Sequence, residues 1–185
     1  MKRKTNKKVW DARKTPHTDY LVQAGWFENS KYSNGMPVGA IAAIQNYGAV
    51  IHQAVTEKQR AFLHYLGIHL KADTHDLTIV IPPTHFWENA QEKNKVKWRQ
   101  AFKDAWTSVF LGDTNPDKAM EQIALMIEGD IAREIANGDY PPDKPSTVRT
   151  KRNRYANKKN KGNLDKRLID TGQMLDALSH KVTKI

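Results

Sequence analysis

The sequence contains no cysteine among its 185 residues. This absence excludes disulfide bonds, thiolate zinc sites, iron–sulfur clusters and cysteine nucleophiles, and it favours a reducing compartment. Long apolar runs are also missing, and the charged residues 1–14 lack the apolar stretch of a signal peptide, so we expect neither secretion by that route nor a membrane span. The length and the 39% hydrophobic content are typical of one globular domain with appendages.

Signatures of the common enzyme classes are absent as well. There is no Gly-x-x-x-x-Gly-Lys loop, no Gly-x-Gly-x-x-Gly turn and no Gly-x-Ser-x-Gly elbow. The seven histidines form no metal-binding pattern, and His64 and His69 are five residues apart, which does not place them on one helical face. The sequence therefore predicts no enzyme, no cofactor and no metal site.

A cluster of carboxylates leaves one catalytic alternative open. Glu128, Asp130 and Glu134 lie close together on a predicted helix and resemble the ligands of a magnesium-dependent nuclease. The favoured interpretation is a solvated polar face opposite the isoleucines of that helix. Asp170 beside Thr171 is interpreted as the start of a helix rather than as an acid and a nucleophile.

Positive charge is concentrated in two segments. The chain has a formal net charge of +10, yet residues 15–143 hold 11 basic and 16 acidic residues and are net negative. Residues 1–14 carry seven Lys or Arg and one Asp, and residues 144–167 carry ten Lys or Arg and one Asp. Because like charges repel and cannot be buried unpaired, such segments are expected to be mobile or to contact a partner. We predict a basic arm over 1–18, a single domain over 19–185, and an extended basic loop over 144–167.

The partner of these segments is either a nucleic acid or an acidic protein surface, and the sequence does not favour one over the other. Phosphates would be bound without sequence preference, through counterion release. An adjacent copy of the mildly acidic body is the alternative. The candidate contact residues are Lys2, Arg3, Lys4, Lys7, Lys8, Arg149, Lys151, Arg152, Arg154, Lys158, Lys159 and Lys161.

Several helices and strands are predicted between the basic segments. A strand is expected near residues 20–27 and a short helix between Pro37 and Gly48. A second helix is expected to start at a capping box of Thr56 and Gln59, and its buried stripe would consist of Phe62, Leu63, Leu66 and Leu70. Residues 77–81 are expected to form a strand that is covered on both faces. Apolar spacing predicts two long amphipathic helices, one that ends near residue 112 and one over 116–137. A short helix after residue 171 and a last strand over 181–185 complete the prediction.

Four segments in order resemble the tail-completion or neck proteins of tailed double-stranded-DNA bacteriophages. Their residues are Gly25-Trp26-Phe27 with Met36 to Gly48, Thr56 to Leu63, Ile81 to Phe86, and Leu168 to Leu175. The motif residues that we single out are Gly25, Trp26, Gly48, Gln59, Pro82, Phe86, Asp170, Thr171 and Gly172. The family usually has Arg-Pro where this chain has Thr84-His85, and Pro-Leu where it has Arg167-Leu168.

The resemblance implies a fold and a function. The fold would be α+β, with a small antiparallel sheet packed by several helices, similar to tail-terminator proteins, and with extended basic arms. The protein would be a structural part of the virion neck or tail end, assembled in the host bacterial cytoplasm. It would form a homo-oligomeric ring, with six-fold order as the expectation, around the DNA channel. Its partners would be the tail tube or tail terminator, the portal-side proteins of the head connector, and DNA in the lumen, with no membrane. The alternative function is nonspecific nucleic-acid binding through the basic arms.

Overall fold

A computed structural model describes residues 19–155 and 166–185, which form six helices and four strands. The strands are β1 (Tyr20–Gly25), β2 (Ala49–Ala54), β3 (Asp76–Ile81) and β4 (Ser179–Lys184). The helices are α1 (Val38–Tyr47), α2 (Glu57–Tyr65), α3 (Phe86–Phe110), α4 (Pro116–Asn137), α5 (Pro145–Tyr155) and α6 (Gln173–Asp176). The predicted α+β class is confirmed, whereas the likeness to tail terminators stays a prediction.

The chain divides into two compact units. Of the described residues, the first contains 19–27, Trp87–Glu134 and Leu178–Ile185, and the second contains Glu28–Phe86, 135–155 and 166–177. Each unit has its own two-stranded antiparallel sheet, β1 with β4 in the first and β2 with β3 in the second. The prediction of one small sheet is thus corrected: the described residues form two separate two-stranded ribbons, the β1–β4 ribbon and the β2–β3 ribbon. The basic arm over 1–18 lies outside the described residues.

The core of the first unit lies between the two long helices and the β1–β4 ribbon. Their apolar spacing buries Val109 of α3 against Met120 and Ile123 of α4, and Val22 and Val182 of the ribbon pack on this cluster. Asn115 begins α4 by accepting a hydrogen bond from the backbone of Asp117 at 2.8 Å. The two long helices were predicted from local signals, periodicity and caps, and both are confirmed.

The second unit is built around α1 and the ribbon of β2 and β3. Helix α1 follows Pro37 and ends at Gly48, whose φ of 77° is left-handed. A Cβ at Gly48 would lie 2.7 Å from the carbonyl oxygen of Ile81, so a side chain there would clash with the end of β3. The two strands pair over their full length, from Ala49 with Ile81 to Ala54 with Asp76.

Helix α2 starts as predicted, but the apolar stripe predicted for it is buried only in part. Leu66, which follows the helix, is buried, and Leu63 and Leu70 are half-buried. Thr56 accepts a hydrogen bond from the backbone of Gln59 at 3.2 Å, and the Gln59 side chain accepts one from the backbone of Thr56 at 3.0 Å, which completes the capping box. No residue of α2 is buried, and Phe62 is exposed. The predicted burial of Phe62 is wrong because no other described element covers that side of the helix.

Helix α5 corrects the prediction of an extended loop over 144–167. Residues 145–155 are helical, with Pro145 in the first turn, where its missing N–H costs nothing. The sequence composition suggested repulsion between cations, but Lys and Arg have good helix propensity and one of the lysines has an internal acidic partner. Residues 156–165 of the predicted loop lie outside the described residues.

Within the described part of the chain, none of the helices combines the length and the apolarity that crossing a bilayer requires.

Candidate interaction surfaces

Segments that carry the resemblance meet in the second unit, although they are far apart in sequence. The Thr84 hydroxyl donates to the carbonyl of Gln45 at 2.8 Å, and the His85 N–H donates to the carbonyl of Asn46 at 3.0 Å. These bonds satisfy carbonyls in the last turn of α1, which have no partner within the helix. His85 has a φ of 52°, a left-handed value that places it at a sharp turn just before the buried Phe86.

The two departures from the family pattern lie next to each other. Arg167 donates a hydrogen bond to the carbonyl of Pro82, two residues before Thr84. The exposed Pro82 therefore joins the segment over 81–86 to the segment that leads into the fourth motif.

The fourth motif lines an open groove of about 670 Å³ in the second unit. One wall contains Asp170, Thr171 and Gly172, and another contains Tyr32 and Gln45. Gly172 has a φ of 83° and immediately precedes α6, while the Thr171 hydroxyl accepts from the backbone of Gln173 at 3.3 Å. The predicted helix start at Thr171 is thus shifted by one residue, to Gly172.

One hydrogen bond and one tyrosine characterise the polar part of this groove. The Gln173 amide donates to the carbonyl of Lys31 at 3.0 Å, which fixes the fourth motif to the loop before α1. Burial raises the pKa of the Tyr32 hydroxyl, and the nearby carboxylate of Asp170 raises it further. Tyr32 therefore stays a neutral hydrogen-bonding group at physiological pH. The groove offers both polar and apolar contacts.

Gly25 and Trp26 belong to the first unit. Trp26 packs on Trp87 with ring centroids 6.4 Å apart, and a Cβ at Gly25 would lie 4.0 Å from the Trp87 ring. Gly25 has a φ of 153°, a conformation that favours glycine at the end of β1. The Gly-Trp pair therefore ends the strand and places an aromatic ring against the first turn of α3.

Lys151, predicted to contact DNA or a partner, is an internal cation. It is only 5% exposed, and its Nζ lies 2.7 Å from Asp143 Oδ2. The same Nζ donates to the carbonyls of Lys166 and Ile169 at 2.9 and 3.1 Å. The prediction for Lys151 is wrong, because its ammonium group forms an ion pair with Asp143 and donates to two carbonyls inside the second unit, which connects α5 to the segment that leads into the fourth motif.

The other candidate cations have mixed outcomes. The Arg149 guanidinium donates to the carbonyl of Leu66 beside Gly67, so it ties α5 to the end of α2, whereas Arg152 is exposed. Of Arg154 only the helical backbone is described. The remaining candidates lie outside the described residues: Lys2, Arg3, Lys4, Lys7, Lys8, Lys158, Lys159 and Lys161.

The carboxylates of α4 are paired and largely buried, so the predicted solvated face is wrong. Asp130 is only 3% exposed. Its carboxylate accepts hydrogen bonds from Lys97 Nζ at 2.7 Å and from Trp98 Nε1 at 2.9 Å. Arg133 donates a third hydrogen bond to it at 2.7 Å. Glu134 is buried beside Lys93 Nζ at 2.7 Å. The sequence signal that we missed is the pair of lysines on α3, Lys93 and Lys97. They are four residues apart, as Asp130 and Glu134 are on α4, so each lysine can face one carboxylate.

Glu128, the third of these carboxylates, has a different partner. Its side chain lies 2.5 Å from His180 Nδ1 of β4, and Glu121 lies 2.9 Å from Nε2 of the same ring. The hydrogen bond to Glu128 is the main cause that raises the pKa of His180, with Glu121 adding to it and burial acting against it. The three carboxylates thus neutralise separate cations, and no group of three or more candidate metal ligands occurs among the described residues.

The ribbon of β2 and β3 exposes apolar side chains, against the prediction that residues 77–81 are covered on both faces. Val50 and Val80 lie opposite each other and are 60% and 50% exposed. Ile51 and Ile79 form the next cross-strand pair, and both are exposed. The apolar run was typical of a buried strand, but no described part of the chain covers it.

Comparison of the chain with models of protein families, with curated proteins and with solved structures finds no match.

Proposed function

We propose that this protein is a non-enzymatic structural component of the neck or tail end of a tailed bacteriophage. It forms a homo-oligomeric ring around the DNA channel and links the tail tube to the head connector. The observation that best supports this proposal is the meeting of three motif segments in the second unit, over 36–48, 81–86 and 168–175. An ordered set of motifs that also forms one contact network is more specific than the same motifs scattered over a surface.

The chemistry of these segments suits a joint between proteins. Their polar groups bond mainly to backbone carbonyls, such as Thr84 to Gln45 and Gln173 to Lys31, so they shape the surface. The groove beside them is open and contains both polar and apolar groups. Such a surface suits an extended segment of a neighbouring protein, which can be bound through its backbone as well as its side chains.

The described cations give less support to nonspecific nucleic-acid binding than the sequence suggested. Lys151 is buried, and Arg149 is held by the carbonyl of Leu66. Residues that bind phosphate by counterion release must present their charge to solvent. Of the candidate cations whose side chains are described, Arg152 is left exposed without such an internal bond.

Inactivating the gene for this chain in its phage tests the proposal. Electron microscopy of the lysate should show separate heads and tails, or tails that end abnormally, and infectivity should return when the wild-type chain is supplied from a plasmid. Normal, infectious virions without the protein would refute the proposal. A nuclease assay with Mg²⁺ on the purified chain addresses the remaining catalytic alternative, and we expect no cleavage of DNA.

A further inference from the structure

We propose that the ribbon of β2 and β3 is the surface through which copies of this chain associate, with β3 of one copy pairing with β2 of the next. The inference rests on the proposed ring for its role in the virion, and it adds which surface joins the subunits. It is carried by the free edges of the ribbon, its exposed apolar side chains and the exposed helix between its strands.

Both edges of the ribbon are open among the described residues. β2 and β3 pair only with each other, so one row of backbone N–H and C=O groups on each strand has no strand partner. Natural proteins usually protect such edges with lysine, proline or a bulge. Neither strand contains lysine, arginine or proline, and a lone Asp76 stands at the start of β3. These edges are suited to adding another strand.

The apolar side chains of the ribbon need a cover. Val50 and Val80 are a directly opposed pair, each at least half exposed, and Ile51 and Ile79 add an exposed pair on the other face. The only described polar contact between the strands' side chains is that of His52 Nδ1 with Thr78 Oγ1 at 3.0 Å. A two-stranded ribbon is marginally stable by itself in water, so it gains stability from a further strand.

The helix between the two strands does not provide that cover. α2 has no buried residue, and Phe62 and Tyr65 on it are themselves exposed. Arg60 instead ties the loop after α2 together, because its guanidinium donates to the carbonyls of Lys71 and Thr74. The segment over 49–81 is therefore ordered internally while its apolar surface faces outward.

A second copy of the same chain is the occupant that fits these edges. The two strands have the same length of six residues and a register without a bulge, so the β3 edge of one copy matches the β2 edge of another along its whole length. Both edges are nearly uncharged, and each carries a valine and an isoleucine that are exposed. Pairing of two different edges is head-to-tail, and a head-to-tail contact repeats from copy to copy and forms a ring where the rotation between copies closes.

Substitution on the ribbon tests the inference against a matched control. Val50→Lys and Val80→Lys place a charge on the proposed interface, whereas Val96→Lys places the same charge on α3, where the valine is 72% exposed. In sedimentation or light scattering, the wild-type chain and V96K should form the assembled species, and V50K and V80K should lose it. Far-UV circular dichroism checks that each variant is folded.

Hydrogen exchange of the wild-type chain provides a second measurement that needs no substitution. Amides of 49–54 and 76–81 should become more protected at concentrations that favour assembly, while those of β1 and β4 should not change. The inference is overturned if the wild-type chain stays monomeric, if V50K and V80K assemble like V96K, or if ribbon protection is unchanged on assembly. Assembly through another surface would refute the inference alone, whereas normal virions without the protein would refute the proposed function.

Discussion

At the scale of single residues, Lys151 differs most from what the charge of its segment predicts. It connects three parts of the second unit through Asp143 and the carbonyls of Lys166 and Ile169. A buried cation that is held by a carboxylate and two carbonyls contributes to folding, and its charge is unavailable to a phosphate. No local signal in the sequence could identify this, because its acidic partner lies eight residues away and the two carbonyls lie 15 and 18 residues away.

Lys151→Met should destabilise the protein by about 3 kcal/mol, because it leaves the largely buried Asp143 carboxylate without its cation. The matched control is Arg152→Met, at an exposed neighbouring position on the same helix, which should change stability by less than about 0.5 kcal/mol. Urea denaturation of the two variants measures the difference. Equal stability of K151M and R152M would contradict an internal role for Lys151.

His180 makes the first unit sensitive to pH. Its pKa is raised above 6.5, mainly by the hydrogen bond to Glu128, so the folded state holds a proton more tightly than the unfolded state. The resulting stability is fully present below pH 6.5 and is lost as the pH rises through the folded pKa. Above pH 6.5, the melting temperature of the wild-type chain should therefore fall as the pH rises, and that of His180→Gln should fall less. His75→Gln, at an exposed position, should show the same fall as the wild type.

At the scale of helices and strands, α3 and α4 are joined by charge as well as by apolar packing. Burial alone raises the pKa of the Asp130 carboxyl, but the hydrogen bonds from Lys97, Trp98 and Arg133 outweigh it, so the pKa lies below its ordinary value. The carboxylate thus stabilises the folded state at neutral pH, and this contribution is lost as the pH falls through the folded pKa.

Asp130→Asn should cost about 2 kcal/mol at pH 7, since hydrogen bonds to charged groups are stronger than neutral ones. The loss relative to wild type should shrink as the pH falls below the ordinary pKa value of 3.8, because the unfolded wild-type chain then binds a proton more readily than the folded carboxylate does. Glu92→Gln, which weakens an exposed pair with Lys95, should cost no more than about 0.5 kcal/mol. Denaturation at pH 7 and pH 3 measures both effects, and a D130N penalty that did not depend on pH would contradict this account.

The elements that the sequence predicted well are those whose signals are local. The apolar period of α3 and α4, the cap at Asn115 and the box of Thr56 with Gln59 need no knowledge of the rest of the chain. Burial was harder to predict: the apolar run of β3 is equally consistent with a strand inside the subunit and with one that another subunit covers. The contact of Arg167 with Pro82 also depends on tertiary structure. The proximity of the motifs could therefore not be predicted from the sequence.

At the scale of the whole molecule, the net charge of +10 describes neither unit. The body over 15–143 is net negative, and part of the basic segment that follows it is used within the second unit. The exposed apolar ribbon is the more informative global feature, because an apolar surface of this kind marks a site of interaction, as the proposed ring requires.

Association makes stability depend on concentration, because assembly removes folded subunits from the unfolding equilibrium. The melting temperature of the wild-type chain and of V96K should rise with protein concentration, and that of V80K should not. Differential scanning fluorimetry over about two decades of protein concentration compares these melting temperatures directly. A wild-type melting temperature that is independent of concentration would argue against a ring.

The most direct test of the central claim is a reconstruction of the virion neck by electron cryomicroscopy. The account predicts a closed ring of this chain around the DNA channel, between the tail tube and the head connector, with the β2–β3 ribbons of neighbouring copies in contact. A neck whose density is fully explained by other proteins, with no copy of this chain at the joint, would contradict it.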